Sequence, residues 1–596
     1  MSTGSVEDIY ELSPLQLGML LHTVHDGSAD MYLGQHVYTL EGPLDADTLV
    51  RAWQVVFTAH PALRTSFHWE GLDKPLQVVH RDVTAEAHRH DWSGLGETEQ
   101  RERLDRLLAD DRARGFDLTA PPLQRLHLIR LGPDRHGLAW SHHHLLLDGW
   151  SVPVFMNDVM AHYQRLTAGG PPPPAAPPYR DYIAWLQKQD MTAAQRFWTE
   201  TLAGFTPRHL VPLRAADVRR GTGAVDRYTM TMPADLEAGL RAAATRHRVT
   251  LSALLQAVWA VVLRRYTGAA EVTFGCVSSG RPADLPDVDR IVGPFVNTLP
   301  VPVTVPEEGD LGDWLRDLQA RHAEIRRYEF SPLADIKKWA GTPGQHLFES
   351  LLVLDNYAFT VGGGDGGGDA LTARTEARFD KVSVPLSLVV TPEPVSELQL
   401  LVHRDRFDAG FADDLSTCLR LTLTALLEAD RVEQVAAAAG PMVAPAPAGD
   451  AAPPSPDRPP TPPATPEEEA IAAVYREILG VDDIDVTRSF FELGGDSFDA
   501  VRAIGRIEGA TVAMLAANPC VRDLAQALAT AAADQPDAAL DEEIADLERQ
   551  VADSAGLELL VAGQDALERL VAEREDLERQ LAEKRAAKGE KAPPPA

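Results

Sequence analysis

Apolar positions fall into two rhythms along the chain. Residues 53–60 carry them at helical spacing, and residues 65–69 alternate as a strand does, an α/β pattern. Leu138, Ala139 and Trp140 lead into Ser141-His142-His143-His144-Leu145-Leu146-Leu147-Asp148-Gly149-Trp150, and Val152, Pro153, Val154 and Phe155 follow. This run predicts a buried strand, a tight turn at Asp148-Gly149, then a helix. Ser13 and Pro14 are placed to cap and open an earlier helix. A second α/β run follows: a long apolar helix over 251–266, strands over 272–277, 347–354, 385–390 and 398–402, and a closing helix around 415–427. From 436 to 466 the chain turns alanine- and proline-rich, which predicts a semi-extended tether. At about 3.1 Å per residue it would reach some tens of ångströms. Beyond it, residues 467–479 and a segment from Ser497 towards Ile507 read as helices of a small unit. From Gln535 onward the stripes Leu540, Ile544, Leu547, Val551 and, past Gly556, Leu567, Leu570, Val571, Leu577, Leu581 predict a charged helical tail suited to docking or self-association.

Composition narrows the class. At 596 residues the chain is too long for one core. Its formal net charge of -32 disfavours nucleic acid and anionic membranes as partners. Cys276, Cys418 and Cys520 form no disulfide framework and suit a reducing cytoplasm. The sequence shows no signal peptide and no long apolar run, so a cytoplasmic location is expected.

The histidines carry the candidate chemistry. An imidazole titrates close to physiological pH and can act as a base at a strand end. Alternation sends His143 and His144 to opposite faces, which argues against a metal shared by neighbours, and no Cys or second His cluster sits at ligand spacing. No metal is expected. Alternation also puts His142 on the side of His144, so geometry alone leaves two candidates for the reacting ring. The Gly362–Gly368 run lacks the Lys-Ser/Thr of a phosphate cradle and reads as a surface loop. Gly494-Gly495-Asp496-Ser497 predicts a sharp turn presenting Ser497 at a helix start.

His143-His144-x-x-x-Asp148-Gly149 resembles the HHxxxDG signature of the condensation domains of nonribosomal peptide synthetases. Other stretches resemble further family motifs in the family's order over about the first 435 residues: Ser13-Pro14-Leu15-Gln16, His60-Pro61-Ala62-Leu63-Arg64, Tyr179-Arg180-Asp181-Tyr182 and Val292-Gly293-Pro294-Phe295-Val296-Asn297-Thr298. Tyr328-Glu329-Phe330-Ser331-Pro332-Leu333 departs from the family's QDxPF-like segment. Phe490-Phe491-Glu492-Leu493-Gly494-Gly495-Asp496-Ser497 is similar to the attachment motif of peptidyl carrier domains, with Asp496 in place of the commoner histidine and a short stretch over 506–511.

The resemblance implies a two-lobed α/β, chloramphenicol-acetyltransferase-like condensation domain over 1–435 (lobes 1–178 and 179–435). After the linker 436–466 it implies an all-α helical-bundle carrier over 467–534, and the tail covers 535–596. It implies an amide-forming acyltransferase with His144 as the reacting histidine beside His143, Asp148 and Gly149, Arg281 as the partner of Asp148, and 4'-phosphopantetheine on Ser497. No adenylation domain fits between 436 and 466, so an adenylation enzyme acting in trans, a phosphopantetheinyl transferase and other carrier proteins or synthetase modules are the expected partners. Two other readings stay open: transfer of the Ser497-bound acyl group to a soluble amine or alcohol, and a non-catalytic recruitment platform.

Overall fold

The computed structural model describes residues 6–531 apart from 27–31, 70–71, 73, 172–174, 207–209, 211–224, 343–345, 355–370, 380–383, 392–396, 405, 408–409, 444–459, 482, 491–492, 494–496 and 505. The Gly362–Gly368 run, Gly494–Asp496 and the tail from 535 lie outside the described residues. Tertiary contacts divide the chain into two compact units, Met1–Pro459 with Phe490–Gly505, and Pro460–Ser489 with Arg506–Ala596.

The first unit opens with β1 (Val6–Glu11) and α1 (Pro14–Asp26). A reciprocal cap starts α1: the Gln16 amide donates to the Ser13 hydroxyl at 3.2 Å, and the Ser13 amide donates to the Gln16 side chain at 2.9 Å. Then come β2 (Leu33–Glu41), α2 (Ala46–Ala59), β3 (Thr65–His68), β4 (Leu76–His80), β5 (Glu86–Asp91), α3 (Glu97–Arg114), β6 (Gln124–Arg130), β7 (Arg135–His143) and α4 (Ser151–Thr167). Strands β1, β4 and β3 form a small antiparallel sheet. Buried aromatic rings tie helices to the larger sheet: Trp53 of α2, Phe155 of α4 and Trp140 of β7 meet with centroids 4.8–5.3 Å apart.

Next follow α5 (Arg180–Leu186), α6 (Met191–Thr201), β8 (Val225–Thr231), α7 (Ala234–His247), α8 (Leu251–Thr267), β9 (Glu271–Ser278), β10 (Asn297–Thr304), α9 (Leu311–Arg326), α10 (Leu333–Trp339), β11 (Ser350–Leu354), β12 (Thr372–Phe379), β13 (Leu386–Thr391), β14 (Glu397–His403), α11 (Phe411–Leu426) and α12 (Val432–Ala438). Helix α8 is apolar nearly all round, and every residue from Ala253 to Leu263 is buried. Thr250 caps its start and Gly268, at φ 67°, ends it. It packs on a six-stranded sheet of order β10-β9-β11-β13-β14-β8.

Two predicted lobe limits move. Strand β12 does not join the second sheet; it pairs antiparallel with β2 and extends the first to the order β12-β2-β7-β6-β5. A cut at 178/179 therefore misses a later segment that completes the first sheet. The predicted linker start at 436 falls inside α12, because alanines 436–438 continue the helix. Ala439 is buried, its carbonyl accepts from Arg265, and the Val443 amide donates to the Arg265 carbonyl, so this unit reaches at least Val443. Strand β11 starts at Ser350, three residues later than predicted.

In the second unit, α13 (Pro466–Leu479) is capped by Thr465, carries three glutamates in its first turn where they complement the helix dipole, and stops at Gly480, φ 65°. Ile471, Tyr475, Ile478, Val486, Leu515, Val521 and Leu524 are buried here, and Arg522 pairs with Glu468 at 3.0 Å. Helix α14 (Ser497–Ile504), which groups with the first unit, ends three residues short of the predicted limit; α15 (Val512–Ala517) and helical residues 521–531 follow.

Candidate functional site

Strand β7, the central strand of the first sheet, carries His142 and His143 at its end, and His144 follows in the turn. It pairs with β2 in a register that sets Leu33 opposite His143 and Gly34 opposite His142. The chain then turns: the His144 amide donates to the Tyr32 carbonyl at 2.9 Å and the Leu146 amide to the His143 carbonyl at 3.0 Å. His143 Nδ1 accepts the Leu145 amide at 3.2 Å, so its ring helps hold the turn. His142 and His143 are 0 % and 3 % exposed, whereas His144 is half-buried. The rings of His142 and His144 meet edge-on, with centroids 5.3 Å apart and planes at 88°. Of the two candidates left by strand alternation, His142 is fully buried and His144 is the more exposed.

Asp148 is a structural node. Its Oδ2 accepts the amides of Phe295 and Val296 at 2.9 and 3.1 Å, and its Oδ1 accepts the Ser151 amide at 2.9 Å, which caps the first turn of α4. Arg281 Nη2 lies 3.7 Å from Asp148 Oδ1, with both side chains almost fully buried. The same guanidinium donates to the Ser151 hydroxyl and to the carbonyls of Val288 and Ile291, and stacks 4.2 Å over the Phe295 ring. The Ser151 hydroxyl in turn donates to the Gly293 carbonyl at 2.8 Å. Gly149 is a half-buried turn residue between Asp148 and the start of α4.

Tyr179 closes the far side, its hydroxyl donating to the Pro294 carbonyl at 2.7 Å. Burial pushes its ionisation well above the ordinary phenol range, so it remains a neutral donor. Burial likewise raises the Glu329 carboxyl, opposed by its hydrogen bond from Ser278 and by Arg326. Glu329 stands in the stretch where the sequence leaves the family pattern.

Gly280 makes the Arg281 turn possible. It sits at φ 62°, and a Cβ there would fall 1.8 Å from the Phe295 carbonyl oxygen. Gly280→Ala should therefore cost more than about 2 kcal/mol, since the left-handed backbone alone costs about 1–2 kcal/mol and the Phe295 backbone must also move. Urea unfolding followed by tryptophan fluorescence checks this; an unchanged midpoint would contradict it.

Sequence reasoning missed Gly34, His36 and the amides of Phe295 and Val296, all of which touch the loop or its node. Among the described residues, no group of three or more His, Cys, Asp or Glu side chains is arranged to hold a metal ion, and no helix is long and apolar enough to cross a membrane. Ser497 is the first residue of α14.

Two α/β halves joined through Asp148 and Arg281, beside a half-buried histidine at a strand end, define the two-lobed condensation class. Residues 6–428 match the family model of the Condensation domain, and residues 469–528 match that of the Phosphopantetheine attachment site. The chain belongs to the condensation domain family of nonribosomal peptide synthetases and carries a phosphopantetheine attachment domain after it. It is 40% identical over 427 residues to a linear gramicidin synthase of Brevibacillus parabrevis, covering 71% of this chain and 8% of that one. Against a surfactin synthase of Bacillus subtilis (strain 168) it is 32% identical over 441 residues, 73% of this chain and 12% of the other. The chain thus spans about a tenth of each of these synthases. Its fold matches the first condensation domain of the calcium-dependent antibiotic synthetase with a TM-score of 0.59 at 19% identity, covering 71% of this chain and 98% of that one.

Proposed function

We propose that this protein forms an amide bond between an acyl or peptidyl thioester on one carrier and an amine on another, with His144 facing the attacking amine and taking its proton. The observation that carries this reading is the division of labour among the three histidines. His142 is sealed in the sheet, His143 holds the turn, and His144 is the half-buried one of the three, just past the strand end. Asp148 cannot serve as the base, because its oxygens are committed to three amides and Arg281. Its role is to hold the loop against the second half of the fold.

Ser497 is the residue proposed to carry 4'-phosphopantetheine. It opens a helix, where first-turn amides lack intrahelical partners and favour a phosphodiester, and it stands within the matched attachment domain. When bound, that group supplies a thiol that holds the acyl or amino-acyl substrate as a thioester. Loading is assigned to a phosphopantetheinyl transferase and to an adenylation enzyme acting in trans, with other synthetase modules as carriers, in the cytoplasm. Incubation with coenzyme A and a transferase should add one prosthetic group by intact-mass spectrometry, and Ser497→Ala should add none. A modified alanine variant would move the attachment elsewhere.

The amide-forming reading is tested by loading Ser497 from a panel of aminoacyl-coenzyme A analogues and offering acyl N-acetylcysteamine thioesters as donors. Amide product on the carrier is expected. Product formed only with free amines or alcohols would favour the soluble-acceptor reading instead.

A further inference from the structure

Behind His144 lies a column of rings that the mechanism above does not use. Gly34, His36 and Tyr38 share one face of β2, and Trp140 and His142 share the facing side of β7. His36 stands diagonally across from His142, and their Nε2 atoms are 3.2 Å apart, with rings stacked at a centroid distance of 5.3 Å and 12°. One ring donates the shared proton and the other accepts it. Trp140 packs against both, 5.8 Å from His36 and 4.9 Å from His142, and is itself fixed by a 2.7 Å hydrogen bond to Gln124. His36 and His142 are 4 % and 0 % exposed, so two polar rings have been taken out of water where apolar side chains would pack at less cost. The column ends on the edge-on contact between His142 and His144. A Cβ added to Gly34 would come within 2.9 Å of His142 Cε1 and 3.2 Å of His144 Nε2, so glycine keeps the space between the two rings clear.

We propose that His142, tied to His36 through the shared Nε2 proton, is a positioning residue that sets the ring of His144, with Gly34 as the gap that lets the two rings meet. This rests on the reading of His144 as the reacting imidazole. The His36 tie stops His142 from rotating, and the fixed His142 edge limits His144 to one orientation towards the amine. Misplacing a reacting group by about 1 Å can cost a hundred-fold in rate, so a remote pair of this kind can matter without touching substrate.

The test uses the full chain with Ser497 loaded from the aminoacyl-coenzyme A panel and the acyl N-acetylcysteamine donor that the wild type uses best. His142→Leu and His36→Leu should each lower kcat about ten- to a hundred-fold with the donor KM unchanged, and the double variant should be no slower than the slower single one. Gly34→Ala should lower kcat in the same way. His142→Gln, whose amide can still bond His36, should recover most of the loss; His142→Phe, which keeps only the ring, should not. Wild-type kcat in His142→Leu, additive losses in the double variant, or full recovery by His142→Phe would each overturn the proposal. Should the variants fail to fold, nitrogen NMR of histidine-labelled wild-type protein decides: one protonated and one bare Nε2 is expected across the pair, and two protonated ones would contradict it. An inactive His144→Ala beside a fully active His142→Leu sinks this inference alone, whereas an active His144→Ala sinks the reading beneath it.

Discussion

Asp148→Ala should unfold about 3–5 kcal/mol more easily than the wild type and lose condensation with it, because removing one partner of a buried pair strands the other. The carboxylate holds the amides of Phe295, Val296 and Ser151 and faces Arg281; Ser151, Phe295 and Arg281 are buried and Val296 is half-buried. Alanine takes from the buried guanidinium the carboxylate it faces, while its bonds to the Ser151 hydroxyl and two carbonyls stay, and it removes the acceptor of two amides across the junction. Asp148→Asn, with its carbonyl oxygen in the Oδ2 position, keeps the acceptor of both those amides while removing the charge and the acceptor of the Ser151 amide, so it should fall between alanine and wild type. Urea transitions of the three proteins, with Ser497 loading as a control that the carrier segment is intact, measure this order. An alanine variant that melts with the wild type would show that the node is not what joins the two halves.

The parts of this site that were legible in the sequence are the contiguous ones. His143, His144, Asp148 and Gly149 lie within seven residues, and a strand followed by a turn and a helix can be read from local periodicity. The pairing of Asp148 with Arg281 comes from the family resemblance, which implies a positive partner for the carboxylate, and Arg281 follows the strand-like run over 272–277. The stronger partners of Asp148 are backbone amides of Phe295 and Val296, and an amide leaves no mark on residue identity. Gly34 and His36 escaped notice for a related reason. On β2 they sit among buried residues, and a pattern that announces burial does not say which strand lies opposite or in what register. Strand β12 is the same case at larger scale: its alternation is short and polar, and only tertiary pairing with β2 assigns it to the first sheet. The helix that overran the expected linker start shows composition misleading in the opposite sense, since alanine-rich sequence suits a tether and a helix equally until a neighbour such as Arg265 holds it.

The largest kinetic effect should come from His144. Its neighbours His142 and His143 are sealed or engaged, so no second imidazole on the loop can take over the amine proton. Loss of a general base costs about a hundred- to ten-thousand-fold. His144 is half-buried, and the turn is held by main-chain bonds and by the His143 ring, all of which alanine at 144 preserves, so its removal should leave the fold standing. The decisive measurement is single-turnover amide formation by His144→Ala, with Ser497 loaded and the donor thioester in excess. A rate at least about a hundred-fold below wild type, with full Ser497 loading and an unchanged urea midpoint, is the predicted result. A folded, loaded His144→Ala protein that forms the amide at the wild-type rate would contradict it.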